Sequence, residues 1–188
     1  MAKINLKTFM FVAVPLLLIA CSSDSSQKSN ESTGSSPQEA SLKIYDPCAM
    51  LNEKDIKEIF PGENIKITTH DEKPANPLGM RRCYWSAGET DMKFIQLAVS
   101  SDIESKMPVS EQFINNRAYI EKVKAISGVG DDAYYGGSGL KLGAGLHVLV
   151  KNKGVLIGIQ AGLGFGNDDE KRHIEIEKSL AQKVINRL

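Results

Sequence analysis

Apolar and polar residues alternate most regularly between Leu140 and Leu163. Leu140, Leu142, Ala144, Leu146, Val148 and Val150 hold even positions, and Val155, Ile157, Ile159, Ala161 and Leu163 hold odd ones. Lys151-Asn152-Lys153-Gly154 separates the two runs, and the pattern predicts a β-hairpin. The same period of two runs through Ile65 and Ile67, through Cys83 and Trp85 on one face of Arg82–Ser86, and through Ile95, Leu97 and Val99. Ala133–Tyr135 begins a further short strand. Helical spacing takes over elsewhere. Asn52 is an N-cap with Asp55 at the third helical position, Leu51 can staple onto Ile56, and Pro61-Gly62 stops that helix. Ser110 is expected to cap a longer helix over Glu111–Ile126, with Phe113, Ile120 and Val123 on one side. Asn167 and Glu170 read as the capping box of a final helix whose Ile174, Ala181, Val184 and Leu188 face inward.

The order is helix, three strands, helix, three strands, helix. It predicts one α+β domain over residues 44–188. Its largely antiparallel sheet of about five to six strands packs against about two to three helices.

The first residues follow another logic. Lys3 and Lys7 precede the twelve mostly apolar residues Phe9–Ala20. A spanning helix needs about 20 such residues, so 1–20 reads as a signal peptide. Leu18-Ile19-Ala20-Cys21 resembles the lipobox of bacterial lipoproteins. That resemblance implies lipidation of Cys21 and a location in the cell envelope. Ser22 stands where an aspartate would favour inner-membrane retention, so the outer membrane facing the periplasm is expected in a host that has one. Residues 21–43 are rich in Ser, Gln, Asn and Glu and read as a flexible, lipidated tether with a reach of about 25 Å. Ser25 and Lys28 carry the letters of a Ser-x-x-Lys nucleophile, but a serine-rich tract fixes no geometry for it.

Charge excludes one class of partner. The 23 basic and 23 acidic side chains balance, which gives no reason to expect a nucleic-acid surface, since such proteins carry a basic excess. Removing the signal, with Lys3 and Lys7, leaves 21 basic against 23 acidic groups, so attachment to the membrane falls to the lipid. Two cysteines then remain, Cys48 and Cys83, and in an exported protein they predict a structural disulfide.

Candidate chemistry is sparse. His147 sits between inward-facing Leu146 and Val148 and is expected on the solvated face of its strand. His173 and Glu177, four apart on a helix, could share a metal, but read as a surface pair of small value. His70-Asp71-Glu72 offers at most a weak cation loop. Gly162-x-Gly164-x-Gly166 has the position of a phosphate loop, yet Asp168, Asp169 and Glu170 would repel an anion. Asp131 and Asp132 read as turn formers beside Gly128 and Gly130. Arg81, Arg82, Tyr84, Tyr134 and Tyr135 form a candidate interaction patch, since Tyr and Arg anchor interfaces; isolated surface tyrosines are the plain alternative.

Asp46-Pro47-Cys48-x-x-Leu51, Cys83-x-Trp85 and Gly128-x-Gly130-Asp131-x-Ala133-Tyr134, taken in order, resemble the small bacterial lipoproteins of the domain of unknown function 3558 type. The resemblance implies an exported, lipid-anchored, disulfide-bearing α+β domain and carries no catalytic residue across. The expectation is therefore a non-catalytic envelope lipoprotein that binds an envelope protein or small ligand, with no cofactor and no metal. An envelope hydrolase with an unrecognised site, and a small hydrophobic-ligand carrier, are the alternatives.

Overall fold

The computed structural model describes residues 43–89 and 92–188. The signal, Cys21, most of the tether and the Ser25/Lys28 pair lie outside the described residues. A single turn, α1 (Pro47–Met50), opens the domain, with proline at its start and the Asp46 carboxylate accepting from Cys48 N at 2.9 Å. Next, α2 (Glu53–Ile59) carries the capping box expected of Asn52 and Asp55: each side chain accepts the other's backbone N–H, at 3.1 and 3.0 Å.

The strands are β1 (Ile65–His70), β2 (Met80–Ala87), β3 (Lys93–Ser101), β4 (Lys124–Ala125), β5 (Asp132–Tyr135), β6 (Leu146–Val150) and β7 (Val155–Leu163). Among the described residues they form one open sheet of seven strands, in the order β1-β2-β3-β7-β6-β5-β4, with every neighbour antiparallel. Two meanders, β1–β3 and β4–β7, thus meet at the β3–β7 pair. The crossover between them contains α3 (Val109–Ala118), and α4 (Glu170–Ile185) closes the chain. Both edges are blunt: β1 carries an irregularity between Ile67 and Thr69, and β4 has only two residues.

The fold class is the expected one, with one strand and one helix more than expected. The helix foreseen over Glu111–Ile126 ends at Ala118, because α3 buries only Val109, Gln112 and Phe113, while Ile114 and Tyr119 face solvent. No apolar stripe holds a longer helix, and the chain turns to pair Lys124 with Tyr135 and Ala125 with Tyr134. Capping shifts as well. Asp102 Oδ1 accepts from Val109 N at 2.7 Å, so Ser110 is not the cap. Asp169, rather than Asn167, caps α4 by accepting from Arg172 N at 3.0 Å.

The long hairpin is shorter than its alternation. β6 begins only at Leu146, and Leu140 and Leu142 stand 75% and 91% exposed in the loop before it. Glycines break the strand there. A Cβ on Gly136 would lie 1.8 Å from Gly143 O, and one on Gly145 would lie 2.1 Å from Ile159 O. The loop folds on itself more closely than extended, substituted backbone permits.

The main core gathers Leu51 and Ile56 from the amino-terminal helices and Leu180, Ala181 and Val184 from α4. These pack on the sheet face that presents Trp85, Leu97, Leu146, Ile157 and Ile159. Cys48 and Cys83 are joined in a disulfide, which ties α1 to β2 beneath this layer. A smaller cluster of Val109, Phe113, Tyr134, Leu149 and Leu156 lies on the other face, under α3. Helices therefore cover most of one face, leaving Ile67 of β1 exposed, and part of the second.

Candidate functional site

The most distinctive place in the molecule follows from unequal strand lengths. Pairing of β6 with β7 starts at Leu146–Ile159, whereas β7 continues to Leu163 beside β3. Past Ile159, β7 has no strand on its β6 side. Two groups fill the gap. Gln160 Nε2 donates to Gly139 O at 2.6 Å, and Ala161 N donates to Glu177 Oε1 at 2.9 Å.

Above this gap the glycine loops before β6 and after β7 stand apart and leave a recess of about 310 Å³. Met92, Leu140 and Phe165 form its lips, 47%, 75% and 92% exposed. Gly162, Ala161 and His173 line its inner wall, and Asp168 is the one carboxylate that lines it among the described residues. Apolar lips of this size on an exposed surface mark contact sites more often than chance.

Behind the inner wall lie enclosed polar groups. His173 is 2% and Glu177 0% exposed. His173 Nε2 contacts Asn167 O at 3.2 Å; a carbonyl only accepts, so Nε2 carries hydrogen. Its Nδ1 lies 4.0 Å from Glu177 Oε1, outside hydrogen-bond reach. Burial pushes the Glu177 carboxyl up to about 8, against the lowering pull of the Ala161 and Leu146 N–H groups. Burial also raises the Tyr135 phenol, and Glu177 adds to the rise; Ser138 stands beside that hydroxyl without closing a hydrogen bond to it. His173 Nδ1, Glu177 Oε2 and the Tyr135 hydroxyl are thus buried polar atoms without a partner. With the carboxyl protonated at neutral pH, Glu177 and Tyr135 leave unpaired polar atoms buried behind His173 without adding charge.

This arrangement corrects the expectation of a surface His173–Glu177 pair. Both belong to the stripe that continues through Leu180, Ala181 and Val184. The spacing 173-177-180-184 was the available signal, since it is that of an inward helix face. Phe165 and Leu140 were also legible, as large apolar residues set between glycines.

The Tyr/Arg patch does not form. Tyr134 and Tyr135 are 0% and 1% exposed and belong to opposite faces of the sheet, because successive strand residues alternate. Arg81 is held by the Glu104 carboxylate and the Glu72 carbonyl, and Arg82 Nε by Asp71 Oδ2 at 2.8 Å. Tyr84 stacks on Phe94, ring centres 4.9 Å apart. His147 is half-buried rather than solvated: it stacks on Tyr134 at 4.7 Å, and its Nε2 lies 3.2 Å from Gly143 O.

Asp131 accepts from Lys151 N at 2.7 Å and serves the turn. His70 Nε2 meets Asp46 Oδ1 at 3.0 Å, with Cys48 close by. That sulfur is committed to the disulfide, so the trio lacks a thiolate to bind metal.

No protein-family model matches the chain, and neither does any curated protein or solved structure.

Proposed function

We propose that the protein is a lipoprotein of the bacterial envelope, acylated at Cys21, whose domain is a non-catalytic binding module working through the recess at Phe165. The exposed Met92, Leu140 and Phe165 around a cavity of about 310 Å³ carry this reading. They are suited to an apolar portion of a protein or small ligand, while His173, Ser138 and Asn167 in the lining suit a neutral polar portion. Such a mix of apolar lining and few polar groups is what small binding sites use.

The polar wall supports a non-catalytic role. His173 Nε2 is taken by Asn167 O and Glu177 Oε1 by Ala161 N, so both residues are anchored to backbone. Among the described residues lining the recess, no Ser, Thr or Cys is joined to either as an activated nucleophile would be. The lipobox, the short signal and the likeness to lipoproteins of the domain of unknown function 3558 type support the address.

Affinity capture from detergent-solubilised host envelope tests this, with full-length protein compared with a Leu140→Ser, Phe165→Ser variant. A partner or ligand retained by the first and lost by the equally folded second is the expected result. Capture unchanged by the two substitutions would remove the recess from the function.

A further inference from the structure

A second cavity, on the α3 side of the sheet, has a different character and is independent of the recess at Phe165. Gly158 sits in the middle of β7 with ordinary strand backbone. A Cβ there would meet Ala98 Cβ at 3.6 Å and His147 Nδ1 at 3.8 Å, both ordinary contacts. Neither backbone conformation nor crowding requires glycine, and glycine weakens a strand interior. What its missing side chain does is open a recess of about 100 Å³ between the sheet and α3.

His147 gives the recess a fixed acceptor beside the Gln112 amide and the Ser100 hydroxyl that also line it. His147 Nε2 faces the Gly143 carbonyl and so carries hydrogen. Burial holds the imidazole pKa down, against backbone contacts with Gly143 and Ala144 that raise it, so the ring is neutral and Nδ1 offers a lone pair. Stacking on Tyr134 fixes the ring's orientation. Asn76 and Asn116 also line the recess. The Asn76 Oδ1 already accepts from Leu78 N and Met80 N, at 3.0 and 3.4 Å, so the group it has left is its NH₂ donor. Leu156 and Ala98 supply apolar wall, and no charged side chain among the described residues lines the space.

A lining without a cation rejects carboxylates and phosphates, which would be buried unpaired. The complement is a compact neutral group with a donor, an acceptor and a methyl. An acetamido group has these features: N–H for His147 Nδ1, C=O for an asparagine NH₂, and CH₃ for Leu156 and Ala98. The amide side chains Asn76 and Asn116 suit neighbouring hydroxyls better than a peptide's apolar side chains. We infer that this recess binds the acetamido group of a neutral N-acetylated amino sugar.

Saturation-transfer NMR on the full chain in detergent micelles tests the inference, using N-acetylglucosamine, glucosamine and N-acetylalanine amide as probes. N-acetylglucosamine should bind saturably at about millimolar concentration, as fits so few buried atoms, with its methyl receiving the strongest transfer. Glucosamine should bind at least about tenfold more weakly. Gly158→Ala, which places a methyl in the cavity, and Ala98→Val, which fills it from the neighbouring strand, should each weaken binding of the N-acetyl sugar by about tenfold while the protein stays folded. Equal binding of glucosamine, no saturable signal, or binding untouched in both folded variants would overturn the site. Binding of N-acetylalanine amide without the sugar would overturn the sugar and point to an acetylated peptide.

Discussion

Glu177 accepts the Ala161 backbone N–H at 2.9 Å and so stands in for a strand that β6 does not supply. A helix side chain thereby completes the ladder of a sheet. The arrangement satisfies a backbone donor that would otherwise be buried without a partner, and it places an ionisable group in the core.

That placement predicts a pH-dependent stability. The carboxyl titrates near 4.5 when exposed and near 8 in the folded protein, so between those values the folded state holds a proton that the unfolded state has lost. Stability from this group is full below pH 4.5 and is lost as the pH rises to about 8. The slope is at most about 1.4 kcal/mol per pH unit. Urea midpoints at pH 5.5 and pH 8 should differ for the wild type, with the lower pH more stable. Glu177→Gln keeps the acceptor for Ala161 and should flatten the dependence. An unchanged slope in that variant would assign the effect elsewhere.

Asp55 predicts the opposite acid response. Burial raises its carboxyl, but hydrogen bonds from Arg187, Asn52 N and Lys183 outweigh it and hold the group at about 2. Its contribution is present above 3.8 and lost as the pH falls through about 2. Arg187 and Lys183 reach it at 2.8 and 3.0 Å, tying the end of α4 to the start of α2. Asp55→Ala should cost about 3 kcal/mol at neutral pH, measured by thermal or urea unfolding. A loss below about 0.5 kcal/mol would reduce the cluster to surface decoration.

The disulfide between Cys48 and Cys83 spans 35 residues. Loop entropy alone assigns it about 4 kcal/mol. Calorimetry with and without reductant should show a melting point lower by many degrees after reduction. A shift of only one or two degrees would mean that the core holds α1 in place unaided.

Gly158→Ala should raise stability by about 0.5–1 kcal/mol, since the backbone gains β-compatible rigidity and the new methyl finds room. The substitution that blocks the cavity would then strengthen the fold. Destabilisation instead would mean that a methyl does not fit beside Ala98 and His147.

Strand periodicity was legible wherever the alternation had buried partners, as in Cys83/Trp85 and Ile157/Ile159. It misled at Leu140 and Leu142, where the alternation continues in letters but the glycines around it bend the chain. Tyr134 and Tyr135 were misplaced because burial of a tyrosine depends on what lies over the sheet, and α3 and α4 cover opposite sides. The polar wall was missed for a related reason. Nothing local distinguishes His173 and Glu177 from a solvated i, i+4 pair; only the apolar residues two turns later place them inside. Which loops stand apart to leave a recess is a tertiary fact, invisible to spacing.

A population held in two dimensions on a membrane meets itself at high effective concentration, and exposed strand edges would then zip neighbouring copies together. The irregularity in β1 between Ile67 and Thr69 breaks the straight row of donors and acceptors at one border, and the two-residue β4 leaves too little length at the other. On the envelope reading proposed above, these modest defects would act as insulation, letting many copies crowd one leaflet while each remains a separate unit.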